Sequence, residues 1–137
     1  MKKEFKMKYA VKLSSYLILF LTVLWAGTTM AADLPITIDI APKTLNLQNQ
    51  GEVVTVHTDI AYSLVSSAEV WLNGQPIAWS KADARGNFVA KFDIEVIKGL
   101  NLEIGRYITL RLEGWTVTGD TFWGEAEVRV IDSGPRS

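Results

Sequence analysis

The stretch RYITLRLEGWTVTGDTFWGEAEVRVI, residues 106–131, decides the fold. In its first half Ile108, Leu110 and Leu112 alternate with Thr109, Arg111 and Glu113; in its second, Phe122, Ala126, Val128 and Val130 alternate with Trp123, Glu125, Glu127 and Arg129. A period of two over runs this long belongs to half-buried strands, apolar on one face and polar on the other. The turn residues between them join the two runs as an antiparallel hairpin. Charge then selects a register. With Val117 opposite Thr121, Leu112 faces Ala126, Leu110 faces Val128 and Ile108 faces Val130. On the outer face Arg111 meets Glu127 and Trp115 meets Trp123, at the expense of a Glu113–Glu125 pair. A register two residues along sets Arg111 against Arg129 and Glu113 against Glu127, and a one-residue slip sets Leu112 against Glu127. Cross-strand pairs contribute roughly 0.2–1 kcal/mol each and like charges subtract, so the first register is expected.

Upstream, the same period recurs. ITIDI (36–40), EVVTVHTDI (52–60), EVWLNG (69–74) and NFVAKF (87–92) read as further strands. Asn73-Gly74 is a tight-turn dipeptide, since both residues tolerate positive φ. A two-residue loop there sets Leu72 opposite Gln75, Trp71 opposite Pro76 and Val70 opposite Ile77. Continued alternation puts Trp79 in the core and Trp71 outside. Arg85-Gly86-Asn87 marks the next turn. KFDIEVIKGL (91–100) breaks the pattern: Phe92, Val96, Ile97 and Leu100 fall at helical spacing, with Asp93 as cap and Gly99 as stop. One or two helical turns are expected between two strands. Several short strands separated by turns point to a β-sandwich.

The N-terminus has different grammar. Lys2, Lys3, Lys6, Lys8 and Lys12 precede a short apolar run, Tyr16 to Ala26, and then small residues ending at Ala31 and Ala32. That is a secretory signal peptide, with cleavage after Ala31 or Ala32. A retained anchor is the alternative, against which the run is short, since a comfortable span takes about 20 residues. The domains expected are therefore a signal peptide over 1–32, a sandwich over 33–132 and a frayed tail over 133–137. The leader takes five lysines and one glutamate with it, leaving nine basic and fourteen acidic residues, a net charge of −5. Such a domain has no electrostatic reason to bind nucleic acid or an anionic membrane, and membrane contact is expected only through an uncleaved leader. The chain has no cysteine, so an exported domain must hold itself by its core alone.

The order IAPKTLNLQNQG, VVTVHTDI, EVWLNG, NFVAKFDIEVIKGL and TGDTFWGEAEVRVI resembles a family of small β-sandwich domains in secreted prokaryotic proteins, immunoglobulin-like or cohesin-like in architecture. In that family a P-x-T-L-N-L opening precedes a Gly turn, an LNG hairpin and a D-G-x-x-F-x-G motif leading into the last strand. The resemblance covers nearly all of residues 36–131 and implies an accessory module of larger exported proteins; its motifs are structural and carry no catalytic residues. This chain departs from it with Gly119-Asp120 where the turn reads Asp-Gly, and it is expected to stand without other modules. The fold class expected is all-β: an immunoglobulin-like antiparallel sandwich with one short helical turn.

Catalytic groups are sparse. His57 is the sole histidine and falls on the outer side of a strand. No G-x-S-x-G motif or His/Cys metal cluster is present. Asp83 and Asp120 lie in turns but outside any D-x-D-x-D-G loop. Glu113 and Glu125 would sit near each other, on a flat sheet that offers no cleft to exclude water. No catalytic residue, metal or cofactor is expected. What remains is three outward indoles, Trp71, Trp115 and Trp123, expected on one face because immunoglobulin-like order sets their strands side by side. An apolar patch on an acidic domain marks an interaction site, whereas a Trp pair also earns its place by packing. The expected function is a non-catalytic exported protein-interaction or structural subunit of a periplasmic or cell-surface assembly. The alternative is a carbohydrate-binding module stacking a polysaccharide on the indoles.

Overall fold

The computed structural model describes residues 31–133. The leader expected over 1–32, apart from Ala31 and Ala32, and the tail expected over 133–137, apart from Ser133, lie outside them. The chain forms β1 (Asp33–Pro35), β2 (Ile38–Ala41), β3 (Thr44–Asn46), β4 (Val53–Ala61), a 3-10 turn (Tyr62–Leu64), β5 (Val65–Leu72), β6 (Gln75–Pro76), β7 (Trp79–Ala82), β8 (Asn87–Asp93), α1 (Ile94–Lys98), β9 (Tyr107–Thr116) and β10 (Thr121–Ile131). Two sheets result. One has the order β1-β10-β9-β5-β6, with β3 also on β10; the other runs β2-β4-β8-β7. The fold is an all-β sandwich, as the period-two runs require.

Pairing is antiparallel except at the free edge of β10. There β1 lies parallel to Thr121–Trp123 and β3 parallel to Arg129–Ile131. Between them β2 crosses to the other sheet and pairs with β4. The opening segment thus stitches both sheets in turn. Strands of three residues carry no readable alternation, so β1 and β3 and their parallel pairing are beyond the reach of periodicity.

The core is the alternation made real. Val54 and Val56 of β4, Phe88 and Phe92 of β8, and Ile38 and Ile40 of β2 face Val70, Leu72, Leu110, Leu112, Phe122 and Val128 of the opposing sheet. Thr58 is the buried exception on β4; its hydroxyl donates to the Phe88 carbonyl at 2.6 Å, which removes the cost of an unpaired polar group. The helical segment appears where the spacing predicts it. Asp93 takes the N-cap position without a side-chain cap bond, Gly99 is the C-cap, and Ile94 and Ile97 are buried.

Two expectations fail on local geometry. Trp79 is not a core residue: it is 50% exposed, on the edge strand β7. The Asn73-Gly74 turn forms as expected, with Leu72 opposite Gln75 and Trp71 opposite Pro76. The hairpin then stops. Ile77 N–H donates to the Val70 carbonyl, but Ala78 N–H donates to the Lys91 carbonyl of the other sheet. Changing sheets breaks the alternation, and Trp79 emerges outward with the Lys91 ammonium 5.5 Å from its ring centroid.

The last hairpin also pairs differently. Leu110 faces Ala126, Leu112 faces Gly124 and Gly114 faces Phe122; outside, Arg111 faces Glu125, Glu113 faces Trp123 and Trp115 faces Thr121. The Arg111–Glu127 and Trp115–Trp123 pairs expected from charge are therefore not formed. The loop is the reason. Thr116 N–H donates to the Asp120 carbonyl and Gly119 N–H to the Thr116 carbonyl, leaving Val117, Thr118 and Gly119 as a three-residue loop. Gly119, at φ 88°, then occupies the left-handed third position such a loop demands. The expected register would have put Asp120 there. It would also have set Gly114 opposite Gly124. In the fold each glycine instead makes room for a larger neighbour: a Cβ on Gly114 would lie 2.5 Å from the Phe122 ring, and one on Gly124 2.8 Å from Ile38.

Candidate functional site

The outer face of the larger sheet gathers the indoles. β5 lies beside β9 with Trp71 directly opposite Glu113, and Glu113 is directly opposite Trp123 on β10. Beyond Trp123 comes Pro35 of β1. Residues facing one another across strands share a face, so Trp71, Glu113 and Trp123 form one row. Strand spacing puts the two indole stems about 10 Å apart. Trp115, two residues beyond Glu113, belongs to the next row with Thr121 and Asp33. All three tryptophans, with Asp33, Arg111 and Glu113, line one shallow depression of about 450 Å³. Trp115 is 42% exposed, while Trp71 and Trp123 are half-buried. Alternation gave the outward direction of each, and the β5-β9-β10 neighbourhood expected from immunoglobulin-like order brings the three to one surface. The direct Trp115–Trp123 stack it also suggested gives way to a diagonal relation.

Arg111 organises this face. Its guanidinium lies over the Trp123 ring, 4.3 Å from the centroid. Nε donates to Glu113 Oε1 at 2.5 Å and an Nη to Glu125 Oε1 at 3.0 Å. The cation is thus stacked on an indole and bracketed by two carboxylates. These hydrogen bonds, Glu113's before Glu125's, hold the guanidinium in its charged form beyond its usual range. Its backbone is anchored as well: Arg111 N–H donates to Asn73 Oδ1, and Asn73 N–H to the Arg111 carbonyl. The register error hid this role, since the expected pairing gave Arg111 to Glu127. Asp33 and Pro35 were also missed, because β1 exists only through its pairing with β10.

The carboxylates considered for chemistry are engaged elsewhere. Glu113 and Glu125 share the Arg111 cation. Asp120 Oδ1 accepts from Ala32 N–H at 2.9 Å, tying the incoming chain to the hairpin. Asp83 Oδ1 accepts from Arg85 and Asn87 N–H groups, closing the turn before β8. The bond from Asn87, ahead of the other causes, lowers the Asp83 pKa below its ordinary 3.8. His57 lies exposed on β4 opposite Asp39. With Asp59, Asp83 and Arg85 it lines an open groove on the opposite sheet. Among the described residues no three His, Cys, Asp or Glu side chains are disposed to share a metal ion. No helix among them is long and apolar enough to cross a membrane.

No protein-family model matches the chain, and no curated protein matches it. Among solved structures, the crystal structure of CopC from Methylosinus trichosporium OB3b is similar to it, at 13% identity and a TM-score of 0.41, over 74% of this chain and 99% of that one. The strand orders described above, and not this overlay, carry the fold.

Proposed function

We propose that the protein is a non-catalytic, exported sandwich that docks a protein partner in the cell envelope, using Trp71, Trp115 and Trp123 as its binding residues. The N-terminal sequence supports export. The order β2-β4-β8-β7 against β10-β9-β5 supports an immunoglobulin-like reading, in which sheets display binding faces rather than enclose a reaction. One observation carries the choice of partner over polysaccharide: Arg111 already occupies the face of Trp123. A sugar-stacking platform needs successive open ring faces. Here Trp115 is the one indole of the three that is exposed rather than half-buried, and two exposed apolar residues lie beyond it at the end of its strand. Val117 is 63% exposed and Leu64 48%, and Val117 N–H donates to the Leu64 carbonyl. Exposed apolar side chains on paired backbone beside an exposed indole suit a protein contact.

A photo-crosslinking residue placed at Val117 in living cells tests this. The expected result is one discrete adduct, absent when Trp115 is also changed to alanine and absent from the same probe at Lys81 on β7. Absence of any adduct, together with saturable quenching of tryptophan fluorescence by soluble glycans, would overturn it in favour of carbohydrate binding.

A further inference from the structure

We infer that the corner formed by Trp71, Glu113 and Trp115 takes an organic cation, the Lys or Arg side chain of a basic segment on the partner. The inference rests on the reading above that this face docks a protein, and it names the chemistry recognised. Three observations converge. The first is charge. The depression is lined by Asp33 and Glu113 against Arg111, and Glu125 adjoins through its own bond to Arg111. Two carboxylates of the lining stand against one guanidinium, a local net charge of −1 set among indoles, with Glu125 at its border.

The second is the intramolecular precedent. Arg111 lies 4.3 Å above Trp123 while bonded to Glu113 and Glu125. The face thus binds one guanidinium by an indole surface and a carboxylate edge, the arrangement that stabilises a cation over a π-system. The third is what that bond leaves over. Arg111 uses Oε1 of Glu113. Glu113, its side chain 57% exposed, stands directly opposite Trp71 and one row from Trp115. A second indole–carboxylate set therefore lies on the far side of Glu113 from Trp123, within the same depression. It shares Glu113 with the first set, and among the described residues the carboxylate's other oxygen, Oε2, accepts from no cation of this domain. A neutral or acidic partner segment would cover the depression's surplus negative charge without balancing it, a desolvation cost that a Lys or Arg removes.

Hexa-arginine peptide, added to the full chain and followed by tryptophan fluorescence, provides the test. Saturable binding is expected, weakened about tenfold by Glu113→Gln and by Trp115→Ala. Glu103→Gln, which removes the same charge from a distant loop, is expected to leave it unchanged. Thermal midpoints of all three variants show whether the fold is intact, and Glu113→Gln keeps the side-chain shape should Trp115→Ala unfold. No binding, or equal weakening by Glu103→Gln and Glu113→Gln, would overturn the inference, the latter because only net charge is then being read. The two readings fail separately. A crosslinked partner at Val117 that hexa-arginine does not displace sinks the cation site and leaves protein docking standing. Hexa-arginine binding without any crosslinked protein sinks docking and leaves the cation site.

Discussion

Gly114 shows how one residue governs this face. It is an inward position directly opposite Phe122, and an added Cβ would meet the Phe122 ring at 2.5 and 2.8 Å and the Glu69 carbonyl at 3.0 Å. The ring and the backbone cannot both yield, so Gly114→Ala is expected to destabilise the protein by about 1–3 kcal/mol, as overpacked cores do. The denaturant midpoint measures this. Phe122→Ala in the Gly114→Ala background should recover part of the Gly114 penalty, because the clash partner is gone. Asp83 offers a test by pH. Its carboxylate is held below 3.8 by bonds from Asn87 and Arg85 N–H groups. A lowered folded-state pKa means that its stabilisation is complete above the unfolded value and is lost as pH falls through the folded one. The difference in thermal midpoint between wild type and Asp83→Ala should be constant at neutral pH and shrink in acid below that range. A difference that persists undiminished in strong acid would show that packing, not ionisation, is at work.

At the scale of elements, the β9–β10 hairpin is decided by its loop. Glycine at the third loop position sets the register, and the register sets which side chains meet outside. Cross-strand charge, worth tenths of a kcal/mol per pair, is outweighed by a non-glycine residue in the left-handed region at roughly 1–2 kcal/mol. Gly119→Ala should therefore cost about 1 kcal/mol, read as a shift in unfolding midpoint. The outer pair it creates can be weighed directly. A double-mutant cycle of Arg111→Ala and Trp123→Ala should give a coupling of about 0.5–1 kcal/mol, reduced when Glu113 is glutamine. Zero coupling would mean that the guanidinium rests on the carboxylates alone. Much of this hairpin was legible in the sequence: both strands and the outward set were read from Ile108 to Val130 by period alone. The register was not, because pairings two residues apart all keep the apolar face aligned, and the turn selects one that cross-strand charge did not point to.

For the whole molecule, the two sheets close over one core that includes residues from β2 through β10. β3 contributes Leu45, 1% exposed, from a strand of three residues. Leu45→Ala is expected to cost about 2–5 kcal/mol, far beyond what so short a strand suggests, because its side chain and not its hydrogen bonds carries its weight. Calorimetry of the variant should show a single transition at lower temperature. A separate early transition would mean that the β1–β3 segment unfolds independently of the rest.

The sequence alone determined the class of fold, the two-faced strands, the Asn73-Gly74 turn, the short helix ending at Gly99 and the outward direction of Trp71, Trp115 and Trp123. Each follows from interactions within a few residues along the chain: alternation, glycine conformation and helical spacing. Tertiary structure decided the rest. Trp79 turned outward because the chain changed sheets at Ala78. β1 and β3 became strands because β10 had a free edge to pair with. Arg111 came to rest on Trp123 because Gly119 had to occupy one loop position. In each case the deciding partner lies on another strand, and the period of a strand records which face a side chain takes but not which neighbour it meets there.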